Sequence, residues 1–284
     1  MIKLCAFSDE AASDLRDQAA ALQKHRIGYT ELRSISGKNV ADFTNAEAAE
    51  YKRVLDGEGI AVWSIGSPLG KVDIDVDFSE YQNVVRRVME LACRFETTRV
   101  RAFSFFRAYD RESEVIDRLQ KMVEIAEEYG VSLCHENEKE IFGDVAERVE
   151  TLLTKVSGLK FVYDPANFLQ CGEPAEKTLQ KLHGKAEYFH IKDVVAKTGE
   201  LVPAGYGDGK IGELVEKITS DKVLTLEPHL AIFDAYKSID NAEMKHKFSY
   251  ASGGEAFDAA VAALKAVLEK TGYVERNGGY EKCK

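Results

Sequence analysis

Four stretches in the second half of the chain decide the fold: VSLCHENE (Val131–Glu138), LKFVYD (Leu159–Asp164), AEYFHIKD (Ala186–Asp193) and KVLTLEPHL (Lys222–Leu230). Each is a short apolar run of the kind that forms a buried strand, and each gives way to polar residues that include an acid or a histidine. The segments between them, Asp144–Val156, Pro174–Leu182 and Gly212–Thr219, read as helices. Strands that alternate with helices favour a parallel sheet with crossover connections.

The first half repeats the pattern. IKLCAF (Ile2–Phe7) precedes a helical segment Ala11–His25, where Leu15, Ala19 and Leu22 fall at helical spacing. YTELRSI (Tyr29–Ile35) precedes Asn45–Gly59, with Asn45 as N-cap and Gly57 or Gly59 as the stop. IAVWSIG (Ile60–Gly66) precedes Glu80–Phe95, and TRVRAFSF (Thr98–Phe105) precedes Glu112–Tyr129. A last helix is expected over Glu255–Thr271. Eight strand–helix pairs in a chain of 284 residues, 45% of them hydrophobic, predict an α/β fold: a closed (β/α)8 TIM barrel in one domain over 1–284. A doubly wound open sheet is the alternative. No Gly-x-Gly-x-x-Gly opens the first helix, which argues against a dinucleotide site.

The formal net charge of −10 repels a polyanion, so no nucleic acid partner is expected, although a local basic pocket could hold one phosphate. No apolar stretch reaches the ~18 residues a membrane span needs. The start, MIKLCAFSDE, lacks the basic head and long apolar middle of a signal peptide. Five scattered cysteines without a CxxC pair suit reduced thiols in a cytoplasm. The connection Ala231–Gly254 is far longer than the ~2–6 residues usual after a barrel strand. Containing Phe233, Tyr236, Phe248 and Tyr250, it reads as a surface excursion, a subunit contact of a homo-oligomer, or a cover for the catalytic mouth.

Barrel chemistry sits at the C-terminal ends of the strands. There the second half places Glu136, Asp164, His190 and Glu227, each next to apolar residues that would bury it. Buried charges are costly unless they are paired or bind a metal. Three carboxylates converging with one imidazole would repel one another, and one divalent cation resolves the conflict. The oxygen-rich donor set favours Mn2+, with Mg2+, Co2+, Fe2+ or Zn2+ as alternatives, over a thiolate zinc site.

Further polar residues could complete a pocket. Glu138 and Lys192 lie two residues beyond Glu136 and His190, on the same strand faces. Lys192 could meet a substrate hydroxyl, act as an acid, or pair with Glu138 or Asp193. His229 has the same spacing from Glu227. Arg33 and Arg101, near the ends of strands two and four, could recognise a phosphate or carboxylate, or form ion pairs inside the mouth. Trp63 could stack on a sugar face or pack in the core.

With HENE, VYDPAN, FHIKD and LEPHL in place, and the loop VPAGYGDGKIG after strand seven, the chain resembles the xylose-isomerase-like TIM-barrel superfamily. Sugar isomerases, ketose 3-epimerases, inosose dehydratases and endonuclease IV belong to it. The resemblance runs through the whole chain and is most specific in the second half. It implies that Glu136, Asp164, His190 and Glu227 are metal ligands and that the substrate is a small sugar or polyol. It further implies that Glu136 and Glu227 exchange a proton with a ketose through a metal-held cis-enediolate. Ketose 3-epimerases typically carry a substrate-binding histidine three residues after the aspartate ligand, where this chain has Asn167. FHIKD is closer to the inosose dehydratase branch, so a lyase is the alternative, and a non-catalytic sugar-binding barrel the third reading. Endonuclease IV uses extra histidines on earlier strands, and none falls between His25 and His135 here.

Overall fold

The computed structural model describes residues 1–231 and 248–283. Its centre is a ring of parallel strands: β1 (Ile2–Ala6), β2 (Tyr29–Leu32), β3 (Ala61–Ile65), β4 (Arg99–Ala102), β5 (Ser132–Glu136), β6 (Lys160–Tyr163), β7 (Tyr188–Ile191) and β8 (Lys222–Leu226). Each pairs with the next, and β8 returns to β1 in register from Ile2 with Lys222 to Ala6 with Leu226. The sheet is therefore closed, and the expected (β/α)8 barrel is what forms.

Side chains alternate across each strand, so a strand with protein on both sides must be apolar throughout. In β7 all four residues are buried. Tyr188 joins Cys5, Cys134, Val162 and Val223 inside the ring, whereas Phe189 and Ile191 belong to the larger core beneath the helices. His190 shares the inward face of Tyr188, one layer closer to the C-terminal mouth. The helices α1 (Leu15–Lys24), α2 (Asn45–Gly57), α3 (Phe78–Arg94), α4 (Glu112–Glu128) and α5 (Ala146–Lys155) follow the first five strands in turn. In α3, Tyr81, Val85, Val88, Met89 and Ala92 form the buried stripe.

The structure corrects several boundaries. Thr44, not Asn45, caps α2: its hydroxyl accepts the Glu47 amide at 3.2 Å while Glu47 Oε2 accepts the Thr44 amide at 2.7 Å. The strand expected to run to Ile35 stops at Leu32, because Ser36 (φ 51°) and Gly37 (φ 73°) turn Ser34–Ile35 back onto Lys38–Asn39. Strand β5 stops at Glu136, since the Asn137 side chain takes over the pairing. It donates to the Asp164 carbonyl at 2.8 Å and accepts the Asp164 amide at 2.9 Å. Strand β8 ends before Pro228, which has no N–H to offer a ladder.

Further elements are absent from the expectation. A short helix, α6 (Pro165–Gln170), follows Asp164 and leads to α7 (Ala175–Leu182). After α8 (Ile211–Glu216) and α9 (Gly253–Lys270), a terminal hairpin pairs Tyr273–Arg276 with Gly279–Lys282. Its turn is Asn277–Gly278, both at positive φ, the dipeptide that suits a two-residue hairpin. The hairpin meets β1 at Ile2 with Tyr280, filling the split left because β1 and β2 join only at Ala6 with Thr30.

Most of the long connection at Ala231–Gly254 lies outside the described residues, including Phe233 and Tyr236. Of its described part, Phe248 meets the ring of Tyr206 edge-on at 5.8 Å. Among the described residues no helix is long and apolar enough to cross a membrane.

Candidate metal centre

Asp164 shows how local structure sets up the site. It caps α6, with Pro165 at the first helical position, and Oδ1 accepts the amides of Ala166 (2.8 Å) and Asn167 (3.0 Å). That leaves Oδ2 buried and without a hydrogen bond. Glu227 is divided in the same manner: Arg33 Nη1 binds Oε1 at 3.1 Å, while Oε2 is buried without a hydrogen bond. Glu136 gives Oε2 to Arg101 Nη1 at 2.8 Å, and its Oε1 receives Asn167 Nδ2 at 3.2 Å.

His190 completes the set. Its Nε2 stands 3.1 Å from Glu31 Oε2 and its Nδ1 stands 3.0 Å from Glu136 Oε1 and 3.3 Å from Glu227 Oε2. Glu136, Asp164, His190 and Glu227 each offer one donor atom, and these atoms all lie within 4.8 Å of one another. The four residues expected at four strand ends do converge. Two carboxylate oxygens in a fully buried cluster, without a hydrogen bond and met only by the Lys192 ammonium and the His190 ring, fit the donor set of a cation.

The electrostatics say the same. Burial opposes a charge on His190, but the carboxylates of Glu136 and Glu31 raise its pKa well above that of a free imidazole. Burial also pushes Glu136 up, and His190 and Arg101 overcome this and hold it at about 2. Asp164 is raised to about 7, chiefly by burial, with Lys192 pulling the other way. The cluster without metal thus draws a proton onto His190. A divalent cation held by these four residues would take the place of that proton.

Lys192 lies over the cluster, its Nζ 3.1 Å from Asp164 Oδ2 and 3.5 Å from Glu227 Oε2. It does not pair with Glu138 or Asp193. Glu138 pairs with Lys71 at 2.9 Å, and Asp193 holds the glycine-rich loop by accepting the amides of Gly205, Gly207 and Gly209. His229 stands 3.4 Å from Glu10 Oε1 and 3.6 Å from Glu227 Oε1. Arg33 is buried against Asp9, Glu10 and Glu227, and Arg101 against Glu136, so both make the ion pairs that were the other expectation for them. Trp63 is not brought to the cluster. It packs with Tyr29 and Tyr188 at the N-terminal side of the barrel, under the Arg99 guanidinium at 4.0 Å.

Sequence reading missed Glu31, Asp9, Glu10 and Phe7. Glu31 was detectable, since it shares the period-two face of Arg33 in YTELR. Phe7 lies under the Arg33 guanidinium at 4.2 Å and edge-on to His190 at 5.2 Å, forming an apolar floor. A cleft of about 390 Å³ runs outward from Arg33 and Arg101 past Pro68, Leu69 and Phe103.

The profile of the family described as xylose isomerase-like TIM barrel matches residues 20–246. No curated protein matches the sequence. Among solved structures, L-ribulose 3-epimerase superposes with a TM-score of 0.72 at 16% identity, covering 95% of this chain and 97% of its own. The IOLI protein with a bound zinc atom gives 0.71 at 19%, covering 95% and 99%. The probable 3-DHS dehydratase AsbF from Bacillus anthracis gives 0.70 at 16%, covering 94% and 98%. At these identities the likeness is one of fold.

Proposed function

We propose that this chain, which belongs to the xylose isomerase-like TIM barrel family, is a metal-dependent sugar isomerase or epimerase acting on a small ketose or related polyol ketone. The observation that carries the reading is the convergence of Glu136, Asp164, His190 and Glu227, with Asp164 Oδ2 and Glu227 Oε2 left without hydrogen bonds. These four residues would hold one divalent cation, Mn2+ by preference, and Mg2+, Co2+, Fe2+ or Zn2+ also suit the donors. Such a cation supplies Lewis-acid polarisation of a carbonyl, which acidifies the neighbouring C–H.

The chain's own groups do the proton work. Glu136 and Glu227 each have one oxygen tied to an arginine and the other turned to the centre, so each can ligate through one oxygen and serve as a base beside it. One takes the proton from the acidified carbon, and the other returns a proton to the same or the adjacent carbon. Asn167 steadies Glu136 at 3.2 Å, and Lys192 and His229 stand within reach of substrate hydroxyls. The relatives that carry an epimerase name support this reading.

One observation favours a lyase as the second reading. The Lys192 ammonium, buried between Asp164 and Glu227, could protonate a departing hydroxyl so that it leaves as water while a glutamate takes the neighbouring carbon-bound proton. The test begins with metal content of the purified full chain beside Asp164→Ala. About one metal per chain, lost in the variant, supports the centre. A screen of ketoses and inososes then separates isomerisation from dehydration. No metal after reconstitution sinks the reading.

A further inference from the structure

At the N-terminal end of the barrel, away from the carboxylate cluster, lies a second cavity of about 290 Å³. That is near the lower end of small-molecule pockets, about 300–1,000 Å³. Lys3 of β1, Trp63 of β3, Arg99 of β4 and Lys222 of β8 line it, with Glu187 and Asp221 just ahead of β7 and β8. Strand alternation puts Lys3 on the inward face of Cys5. Strand β8 lies beside β1 with Lys222 level with Ile2, so the two lysines reach one space from neighbouring strands.

The charge there runs against that of the chain. The chain carries a formal −10, yet Lys3, Arg99 and Lys222 outnumber the two acids, and both acids are engaged. Glu187 meets Arg99 at 3.1 Å and Asp221 meets the Met1 amino group at 2.6 Å. Among the described residues neither Lys3 nor Lys222 forms a salt bridge. Lys3 donates to the Tyr29 hydroxyl at 2.9 Å, and Lys222 to the carbonyls of Ala186 and Glu187. An ammonium carries three donors, so Lys3 keeps two and Lys222 one. Charged residues at this end of a barrel ordinarily serve stability. A cation there for stability alone gains most from a carboxylate beside it, and these two have none.

A phosphate monoester matches these groups. It carries three terminal oxygens and about −1.5 to −2 charges at pH 7, where a carboxylate offers two oxygens and one charge. The space beyond the phosphate, walled by Trp63 and Val223, accommodates an organic body. We propose that this cavity, at the opposite end of the barrel from Glu136 and Glu227, binds a small organic phosphate monoester whose phosphate is held by Lys3 and Lys222. The proposed reaction uses none of these residues, so the two readings stand or fall separately.

Trp63 is the one tryptophan of the chain, so intrinsic fluorescence of the full chain reports on the cavity. The probes are glycerol 1-phosphate, ribose 5-phosphate and glucose 6-phosphate, with glycerol, ribose, glucose and inorganic phosphate as controls. At least one ester should shift the emission saturably, binding at least about tenfold more tightly than its parent alcohol or inorganic phosphate. In Lys3→Met/Lys222→Met its affinity should fall at least about tenfold. Lys3→Arg keeps the charge and should stay within about threefold of the parent. Circular dichroism and Tm show whether each variant is folded. Where the double variant is not, Lys3→Met alone decides, with a fall of about threefold or more. The proposal is overturned if no ester shifts the emission saturably, or if none binds better than inorganic phosphate. Equal binding by the folded methionine variant overturns it too, as does a loss in Lys3→Arg as large as in that variant.

Discussion

His190 stands between two carboxylates, Nε2 at 3.1 Å from Glu31 and Nδ1 at 3.0 Å from Glu136, and only the second of these belongs to the proposed ligand set. A histidine that donates its remote N–H to a carboxylate has its tautomer and ring angle fixed for binding a cation at the other nitrogen. Glu31 is therefore the residue that aims His190.

Replacing Glu31 by Gln keeps the shape and removes the charge. We expect metal affinity to fall about 10–100-fold with the barrel still folded. Competition with a fluorescent chelator reads the affinity and circular dichroism the fold. Unchanged affinity would show that ring packing against Phe7 and Tyr188 is enough to orient His190.

Glu136→Gln and Glu227→Gln separate proton transfer from binding. Each should lower kcat by about 10²–10⁴-fold, the range for loss of a positioned acid or base. Substrate affinity, measured on metal-saturated protein, should move much less. Equal losses in kcat and affinity would mean that these residues hold the ligand without moving its proton.

Arg33→Met leaves Asp9 and Glu10 buried without their cation. Breaking such a pair costs about 3–5 kcal/mol, and thermal unfolding should record it as a large fall in Tm. The fall should be smaller in Arg33→Met/Asp9→Asn, because one stranded charge is gone. A single variant as stable as the parent would contradict the enclosed ion pair seen here.

A pH-dependent contribution lies away from the site. Asp258 on α9 meets Lys24 at 2.5 Å and His25 at 2.6 Å, joining the first helix to the last. Partial burial works against its charge, yet the hydrogen bonds from Lys24 and His25 hold its pKa below the ordinary aspartate value. A carboxyl with a depressed folded pKa stabilises above its unfolded value, near 3.9, and loses that contribution as pH falls through the folded one. Asp258 is partly exposed, so the effect at neutral pH is at most about 1 kcal/mol. The difference in Tm between the parent and Asp258→Asn should be constant from neutral pH to about 5 and shrink below about 4. A difference that persists in acid would indicate packing, not charge.

Much of the barrel was legible because its cause is local. A strand buried on both faces must be apolar along its length, and the alternation of such strands with amphipathic helices is written residue by residue. The convergence of Glu136, Asp164, His190 and Glu227 was legible for the same reason: they interrupt apolar runs at positions the fold sends to one end. The terminal hairpin at Asn277–Gly278 had a turn signal and was overlooked. The helix after Asp164 had one in its Asp-Pro start.

What the sequence by itself determined is the fold and the four acidic and histidine side chains that the barrel gathers at one end, because periodicity and strand-end position are properties of one segment at a time. The tertiary structure decided which oxygens of Asp164 and Glu227 are left without hydrogen bonds, that Arg33 and Arg101 are taken by carboxylates, and that Glu31 faces His190 while Trp63 lies at the other end of the barrel. Those facts depend on groups brought together from strands as far apart in sequence as β1 and β8. A charge's role is set by the charges around it, and only folding supplies them.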